Sequence, residues 1–221
     1  MVRVKVCGLM REIDVKACME SGVDALGFVV EYPVSVPWNL TRERAKKLMS
    51  LVYPFVSRVL VTSGDLSKIV ELVEFLKPDV LQLHGEEDPS LVRRIVERLR
   101  EEGVRVIKAL SVDVSRQPAV EDLLSKAIEL QDCGIDALVL DSKTSKMPAG
   151  TGVVLDWKMA RTIREKLDIP MILAGGLNPE NVKNAIQTVK PYGIDVLTGV
   201  EVSPGIKDHE KIKALVNASK P

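Results

Sequence analysis

One short phrase recurs along this chain and restricts its fold more than any other feature. Gly22-Val23-Asp24-Ala25-Leu26 returns as Gly134-Ile135-Asp136-Ala137-Leu138 and as Gly193-Ile194-Asp195-Val196-Leu197. Lys77-Pro78-Asp79-Val80-Leu81 is a variant without the glycine. Each copy stops an amphipathic stretch, glycine and proline being natural helix ends, and then opens an apolar run. The four aspartates follow one another at intervals of 55, 57 and 59 residues. With each copy before an even-numbered strand, every interval holds two βα units, and four intervals close a ring of eight. The plain reading of Asp24, Asp79, Asp136 and Asp195 is structural: turn residues at the bottom of such a ring.

The runs between these phrases agree. Short apolar, β-branched segments predict strands at 4–7, 25–30, 57–61, 80–83, 104–109, 137–141, 170–174 and 195–198. Longer stretches between them predict helices, among them 66–76, 91–101, 120–131 and 179–189; Leu66, Ile69, Val70, Val73 and Leu76 repeat at helical spacing. Near-continuous apolar strands alternating with helices indicate a buried parallel sheet. At 221 residues the chain is a little shorter than the roughly 250 typical of a closed α/β barrel. The expected fold is therefore α/β, a single (β/α)8 barrel domain over 1–221 with few insertions.

Composition narrows the partners. The 31 basic and 31 acidic residues balance, so no overall field draws the chain to nucleic acid or to an anionic membrane. No apolar run approaches the roughly 20 residues that span a bilayer, and residues 1–6 alternate like a strand, unlike a signal peptide. Cys7, Cys18 and Cys133 are odd in number and far apart, which fits a reducing cytoplasm and offers no metal-ligand spacing. The expectation is a cytoplasmic protein without metal or cofactor, with a small molecule as partner. The sequence leaves the oligomeric state open.

In a (β/α)8 barrel chemistry sits at the C-terminal ends of the strands. Strand 1 ends in Cys7-Gly8. Alternation puts Arg3, Lys5 and Cys7 on one face and Val4 and Val6 on the other, toward the helices. Lys5 then lies roughly 7 Å from Cys7 along the strand, near enough to favour a thiolate; the alternative is an inert buried cysteine. Strand 4 ends in Gln82-Leu83-His84-Gly85, where His84 is either a structural histidine or a substrate contact. Strand 6 ends in Leu140-Asp141-Ser142. A carboxylate closing an apolar strand needs a partner or a raised pKa, and the latter suits a proton donor; a cap or salt bridge is the plainer account. The segment 142–152 reads as a long loop over the substrate. Strands 7 and 8 run into Gly175-Gly176 and Thr198-Gly199. Asn178 and Pro179 open the helix after the first pair. Glycine turns in these two places form the usual phosphate cradle of the fold.

Together these motifs resemble the phosphoribosylanthranilate isomerase family of tryptophan biosynthesis. The resemblance covers nearly the whole chain: Lys5-Val6-Cys7-Gly8, Leu81-Gln82-Leu83-His84-Gly85, Leu140-Asp141-Ser142 with Ala149-Gly150-Thr151-Gly152, Leu173–Val182, and Gly199-Val200-Glu201 before Pro204-Gly205 and Lys207-Asp208. It implies a cofactor-free Amadori rearrangement of a phosphoribosyl anthranilate to the aminodeoxyribulose phosphate. It implies Asp141 as general acid, Cys7 as thiolate base, and Gly175, Gly176, Thr198 and Gly199 around the phosphate. Lys5 and His84 enter as further substrate-site residues. Three positions depart from the family pattern. The strand 2 loop reads Ser35-Val36-Pro37-Trp38-Asn39, without the arginine that meets the anthranilate carboxylate; Met10-Arg11 replaces a threonine-arginine; Leu197-Thr198 replaces a serine pair. Trp38 is a candidate to stack on the aromatic ring, and Arg11 and Arg42 are candidates for the carboxylate. The rival readings are the equivalent isomerase of the histidine pathway, disfavoured by Cys7 where that family has aspartate, a flavin-binding barrel, and a barrel that binds a phosphometabolite without turnover.

Overall fold

In the computed structural model, which describes residues 2–116, 118–143 and 154–220, eight parallel strands close on themselves. They are β1 (Arg3–Val6), β2 (Ala25–Val29), β3 (Ser57–Thr62), β4 (Val80–Leu83), β5 (Arg105–Asp113), β6 (Ala137–Lys143), β7 (Met171–Leu173) and β8 (Gly193–Val196). Neighbours pair in chain order, and β1 pairs with β8 through Arg3↔Gly193, Val4↔Ile194, Lys5↔Asp195 and Val6↔Val196. The helices follow their strands: α1 (Glu12–Glu20), α2 (Arg42–Met49), α3 (Leu66–Leu76), α4 (Pro89–Arg100), α5 (Val120–Asp132), α6 (Trp157–Lys166), α7 (Val182–Val189) and α8 (His209–Ser219). This is the (β/α)8 barrel expected from the repeat.

Local chemistry explains the helix starts. Asp65, Asp88, Asp156 and Asp208 each accept hydrogen bonds from backbone N–H groups of the first turn that follows them, satisfying donors that the helix cannot. Val4 and Val6 of β1 are fully buried in the layer between strands and helices. Lys5 and Cys7 alternate with them and face inward, as the period of two requires. Inside the barrel the apolar residues among those described form two small clusters, one around Cys7, Val29, Trp38, Val59 and Val61 and one around Ile107, Ala109, Val139 and Ala174.

Three of the four repeated aspartates stand where the repeat put them. Asp24 and Asp136 each accept from a backbone N–H of a neighbouring strand (Val4, 2.8 Å; Val106, 2.8 Å), and Asp79 from that of Arg58 (2.7 Å). The same three carboxylates pair with Arg3, Arg105 and Arg58. Asp195 does not belong with them. It lies within β8, buried, and points into the barrel toward Lys5. The reason is a slip in frame. Lys190 ends α7 in the left-handed conformation just as Lys77 ends α3, so Lys190-Pro191-Tyr192 overlays Lys77-Pro78-Asp79. Tyr192 N–H then bonds Met171 O as Asp79 N–H bonds Arg58 O. The turn position passes to Tyr192, and the aspartate three residues later is carried into the strand.

Other expectations shift too. β8 begins at Gly193 rather than 195, and Thr198 lies in a 3-10 turn, Thr198–Val200. α7 begins at Val182 because Asn178 caps a turn instead, its side chain accepting from Glu180 and Asn181 N–H (both 3.0 Å). Ser142 belongs to β6, and the rest of the expected covering loop, 144–152, lies outside the described residues. A small hairpin absent from the sequence reading, β9 (Glu201–Ser203) with β10 (Ile206–Lys207), precedes α8.

The Val4 N–H, with Arg3 and Lys220, outweighs burial and holds the Asp24 carboxyl below its ordinary 3.8. A depressed pKa means that its contribution is present above 3.8 and fades as pH falls through the lower folded value. Asp24→Ala, which orphans a buried N–H, is expected to cost about 1–2 kcal/mol in urea unfolding at neutral pH. That deficit should narrow below the ordinary carboxylate range; a deficit independent of pH would contradict the assignment.

Candidate active site

The C-terminal mouth of the barrel holds an open cavity, where ligand sites of this fold lie. Cys7, Trp38, His84, Asp141, Gly175, Gly176, Thr198 and Gly199 all border it, joined by Tyr32, Gln82 and Asp195. Lys5 lies one layer deeper, under Cys7. The candidates chosen from strand ends thus meet in one place, although Cys7 and Gly199 stand at opposite ends of the barrel sequence.

Asp141, at the end of β6, is buried, and Ser142 N–H donates to its Oδ1 at 2.8 Å. Burial, and then the negative charge of Asp195, push its pKa up to about 7, against the Ser142 N–H and Lys5. It is therefore a proton donor near neutrality. His84 Nε2 stands 3.6 Å from Asp141 Oδ2, and Gln82 Nε2 is 3.2 Å from His84 Nδ1. With the Gln82 amide donating to Nδ1, the imidazole proton sits on Nε2, facing Asp141. Burial, and then Lys108, push His84 down to about 4, so the ring is neutral. The turn carrying His84 is fixed from behind: Lys108 donates to Gly85 O at 2.7 Å and pairs with buried Glu87 at 2.9 Å.

Cys7 is a different case from the sequence expectation. Lys5 does pull the thiol toward ionisation, as does Lys207, but burial is larger and Asp195 opposes as well. The pKa ends above its ordinary 9.0, so the resting form is the thiol. What the sequence missed is that Lys5 is already paired, Nζ to Asp195 Oδ2 at 2.7 Å, with both side chains buried.

The two glycine turns meet backbone to backbone. A Cβ on Gly199 would fall onto the Leu177 carbonyl oxygen, and one on Gly175, whose φ is +87°, onto the Ser142 side chain. Asn181, unmarked in the sequence reading, steadies the first turn: its Nδ2 donates to Gly176 O and its Oδ1 accepts from Asn178 N–H, both at 2.9 Å.

Trp38 forms a wall of the cavity, with Nε1 donating to Glu201 Oε1 at 2.9 Å. The same oxygen takes Lys207 Nζ at 2.9 Å and Gly205 N–H at 3.1 Å. The two arginines considered for a substrate carboxylate are engaged elsewhere. Arg42 pairs with Glu31 and Glu71, Arg11 lies 3.8 Å from Asp14, and neither borders the cavity. Among the described residues that line it, none is lysine or arginine.

The family model for N-(5'-phosphoribosyl)anthranilate (PRA) isomerase matches residues 4–218. The chain belongs to that family. The isomerase of this name from Methanopyrus kandleri is 44% identical over all of this chain and 99% of its own. The crystal structure of the Thermotoga maritima enzyme superposes with a TM-score of 0.83 at 37% identity, covering 100% of this chain and 99% of that one. A family structure in complex with reduced 1-(o-carboxyphenylamino)-1-deoxyribulose 5-phosphate superposes at 0.81 with 36% identity, again over 100% and 99%. The chain is thus an isomerase of tryptophan biosynthesis on a TIM barrel. Among its described residues no helix is long and apolar enough to cross a membrane.

The His84 environment gives a direct test. Its imidazole should titrate near 4 by NMR and report a neutral ring protonated on Nε2 at pH 7. A midpoint near the ordinary histidine value would contradict this geometry.

Proposed function

We propose that this barrel isomerises N-(5'-phosphoribosyl)anthranilate with Asp141 as general acid and Cys7 as general base, and that it does so as one domain over 1–221. The observation that carries the reading is their placement: a carboxyl from β6 that titrates at about 7 and a thiol from β1 border the same cavity, beside the paired turns after β7 and β8. The turns at Gly175, Gly176, Thr198 and Gly199 take the phosphate. The ribose then lies between Cys7 and Asp141, with the aromatic ring against Trp38.

Asp141 gives its proton to the ring oxygen as the C1–O bond breaks, and the nitrogen lone pair forms the C1=N bond of a protonated Schiff base. Cys7 thiolate removes the C2 proton. The C–H electron pair becomes the C1=C2 bond and the C1=N pair returns to nitrogen, giving the enolamine. Loss of the C2 hydroxyl proton and gain of a proton at C1 complete the ketose. Once Asp141 is an anion, the His84 Nε2–H beside it stabilises the charge. No step requires a cofactor or a metal. The three cysteines are free and buried, which accords with the reducing cytoplasm we propose as its location.

The proton inventory shapes the pH dependence. Asp141 sits near 7 and Cys7 above 9.0, so the singly protonated enzyme mostly carries its proton on sulfur. Only the minority form, with thiolate and protonated Asp141, is competent. The rate should therefore rise with pH through about 7 and fall again on the alkaline side, both limbs belonging to the pair.

Cys7→Ala and Asp141→Asn are each expected to lower kcat roughly 100- to 10,000-fold, followed by anthranilate fluorescence, with binding of the reduced product analogue nearly unchanged. Near-normal turnover in either variant would remove that residue from the mechanism. Turnover of the histidine-pathway intermediate in place of this substrate would overturn the reading as a whole.

A further inference from the structure

The geometry points to the buried Lys5–Asp195 pair as the positioning element that sets the pH window of proton transfer, acting with opposite sign on Cys7 and Asp141 at once. This rests on the proposed roles of those two residues, brings in Asp195, which the family resemblance did not supply, and gives Lys5 a second target in Asp141.

Four observations support it. First, the pair is inside the site: Lys5 Nζ and Asp195 Oδ2 are 2.7 Å apart, with side chains only 5% and 8% exposed. Second, Lys5 converges on the sulfur. A Cβ built on Gly27 would lie 2.7 Å from Cys7 Sγ and 3.0 Å from Lys5 Nζ. The thiol and the ammonium therefore share the one space that a side chain at position 27 would fill. Third, Asp195 borders the cavity, and its Oδ1 is buried with no hydrogen-bond partner among the described residues. A carboxylate placed only to neutralise a lysine would not leave a buried oxygen unsatisfied at the cavity wall. Fourth, Asp195 has left the structural position that Asp24, Asp79 and Asp136 keep, with Tyr192 taking its turn.

Electrostatics then gives each partner a direction. The Lys5 ammonium favours the ionised forms of both Cys7 and Asp141; the Asp195 carboxylate disfavours both. The other charges facing these groups are held in pairs of their own. Lys207, which also favours the thiolate, is bound to Glu201 at 2.9 Å. Beyond neutral His84, Lys108 is bound to Glu87 at 2.9 Å. Ser142 N–H is a fixed dipole on Asp141. Lys5 and Asp195 are thus the members of this set that act on both proton-moving groups.

The test is a pair of shape-conserving variants with opposite expected signs. K5M removes the cation, so both limbs of the kcat/KM–pH profile should move to higher pH; D195N removes the anion, so both should move to lower pH. Each shift should be about one unit, and the double variant K5M/D195N should return toward the wild-type profile. Circular dichroism and thermal melts establish that each variant is folded. Should K5M fail to fold, D195N decides alone, an acid shift supporting the inference and an unmoved profile overturning it. If both variants lose activity with unmoved limbs, or move the same way, the pair is only a structural salt bridge. Cys7→Ala and Asp141→Asn, measured beside them, separate the two claims. Retained turnover there would sink the acid–base reading itself, whereas lost turnover there with unmoved limbs in K5M and D195N would sink only this inference.

Discussion

Closing the barrel between β1 and β8 brings residue 5 opposite residue 195, and much of the mouth depends on that register. A one-residue slip in either strand would reverse the facing of its side chains. Lys5 and Asp195 would then be separated, leaving a charge buried without its partner, which is far more costly than a buried pair. Conversely, the pair resists such a slip, since its 2.7 Å contact forms in one register only. The same register points Cys7 inward at the end of β1 and leads β8 into the Thr198–Val200 turn. An ion pair that contributes little net stability can still fix where the reacting groups sit.

How much of this could be read from the sequence depended on whether a feature is periodic or a consequence of closure. The alternation of strands and helices and the strand-end positions of Cys7, His84 and Asp141 are local patterns, and they were legible. So was Val4 and Val6 against Lys5 and Cys7, because alternation in a strand needs no partner to be recognised. Asp195 was misread for a physical reason. Gly193-Ile194-Asp195 has the letters of the repeat, but the turn is set upstream by Lys190 and Pro191, which shift the frame. The nearest available signal was the match of Lys190-Pro191 to Lys77-Pro78. Gly27 carried no signal, since a glycine in a strand reveals its use only when the neighbouring strand shows what occupies the empty space. Glu201 and Lys207 lay in a matched segment, yet nothing in their spacing announced that Trp38 would bond to one of them.

The two ends of the cavity are mechanically connected. Glu201 Oε1 receives the Trp38 indole N–H, the Gly205 N–H and Lys207 Nζ, and Lys207 also donates to Leu197 O at 3.1 Å. Leu197 immediately precedes the Thr198-Gly199 turn. A single buried cation thus ties the aromatic wall from the strand 2 loop to the turn assigned to phosphate. This bears on the missing second hydroxyl at position 197. Leucine there offers no side-chain donor to an anion, but its carbonyl is held by an ammonium. The shape of the turn is then kept by the network rather than by a serine.

The absence of a cation among the described residues lining the cavity changes how a carboxylated aromatic must be held there. An arginine at the strand 2 loop would meet the carboxylate, away from the reacting carbons, and an attraction equal in ground state and transition state lowers KM without raising kcat. The groups proposed to move protons do not depend on it. Asp141 owes its raised pKa to burial and Asp195, and Cys7 owes its setting to Lys5 and to the space at Gly27. Val36 and Trp38 instead give an apolar wall, whose attraction for an aromatic ring scales with the area removed from water. The chemistry of the site and its grip on the aromatic end are therefore separable in this chain. Loss of the arginine can change the affinity for substrate while the machinery between β1, β6 and β8 stays intact.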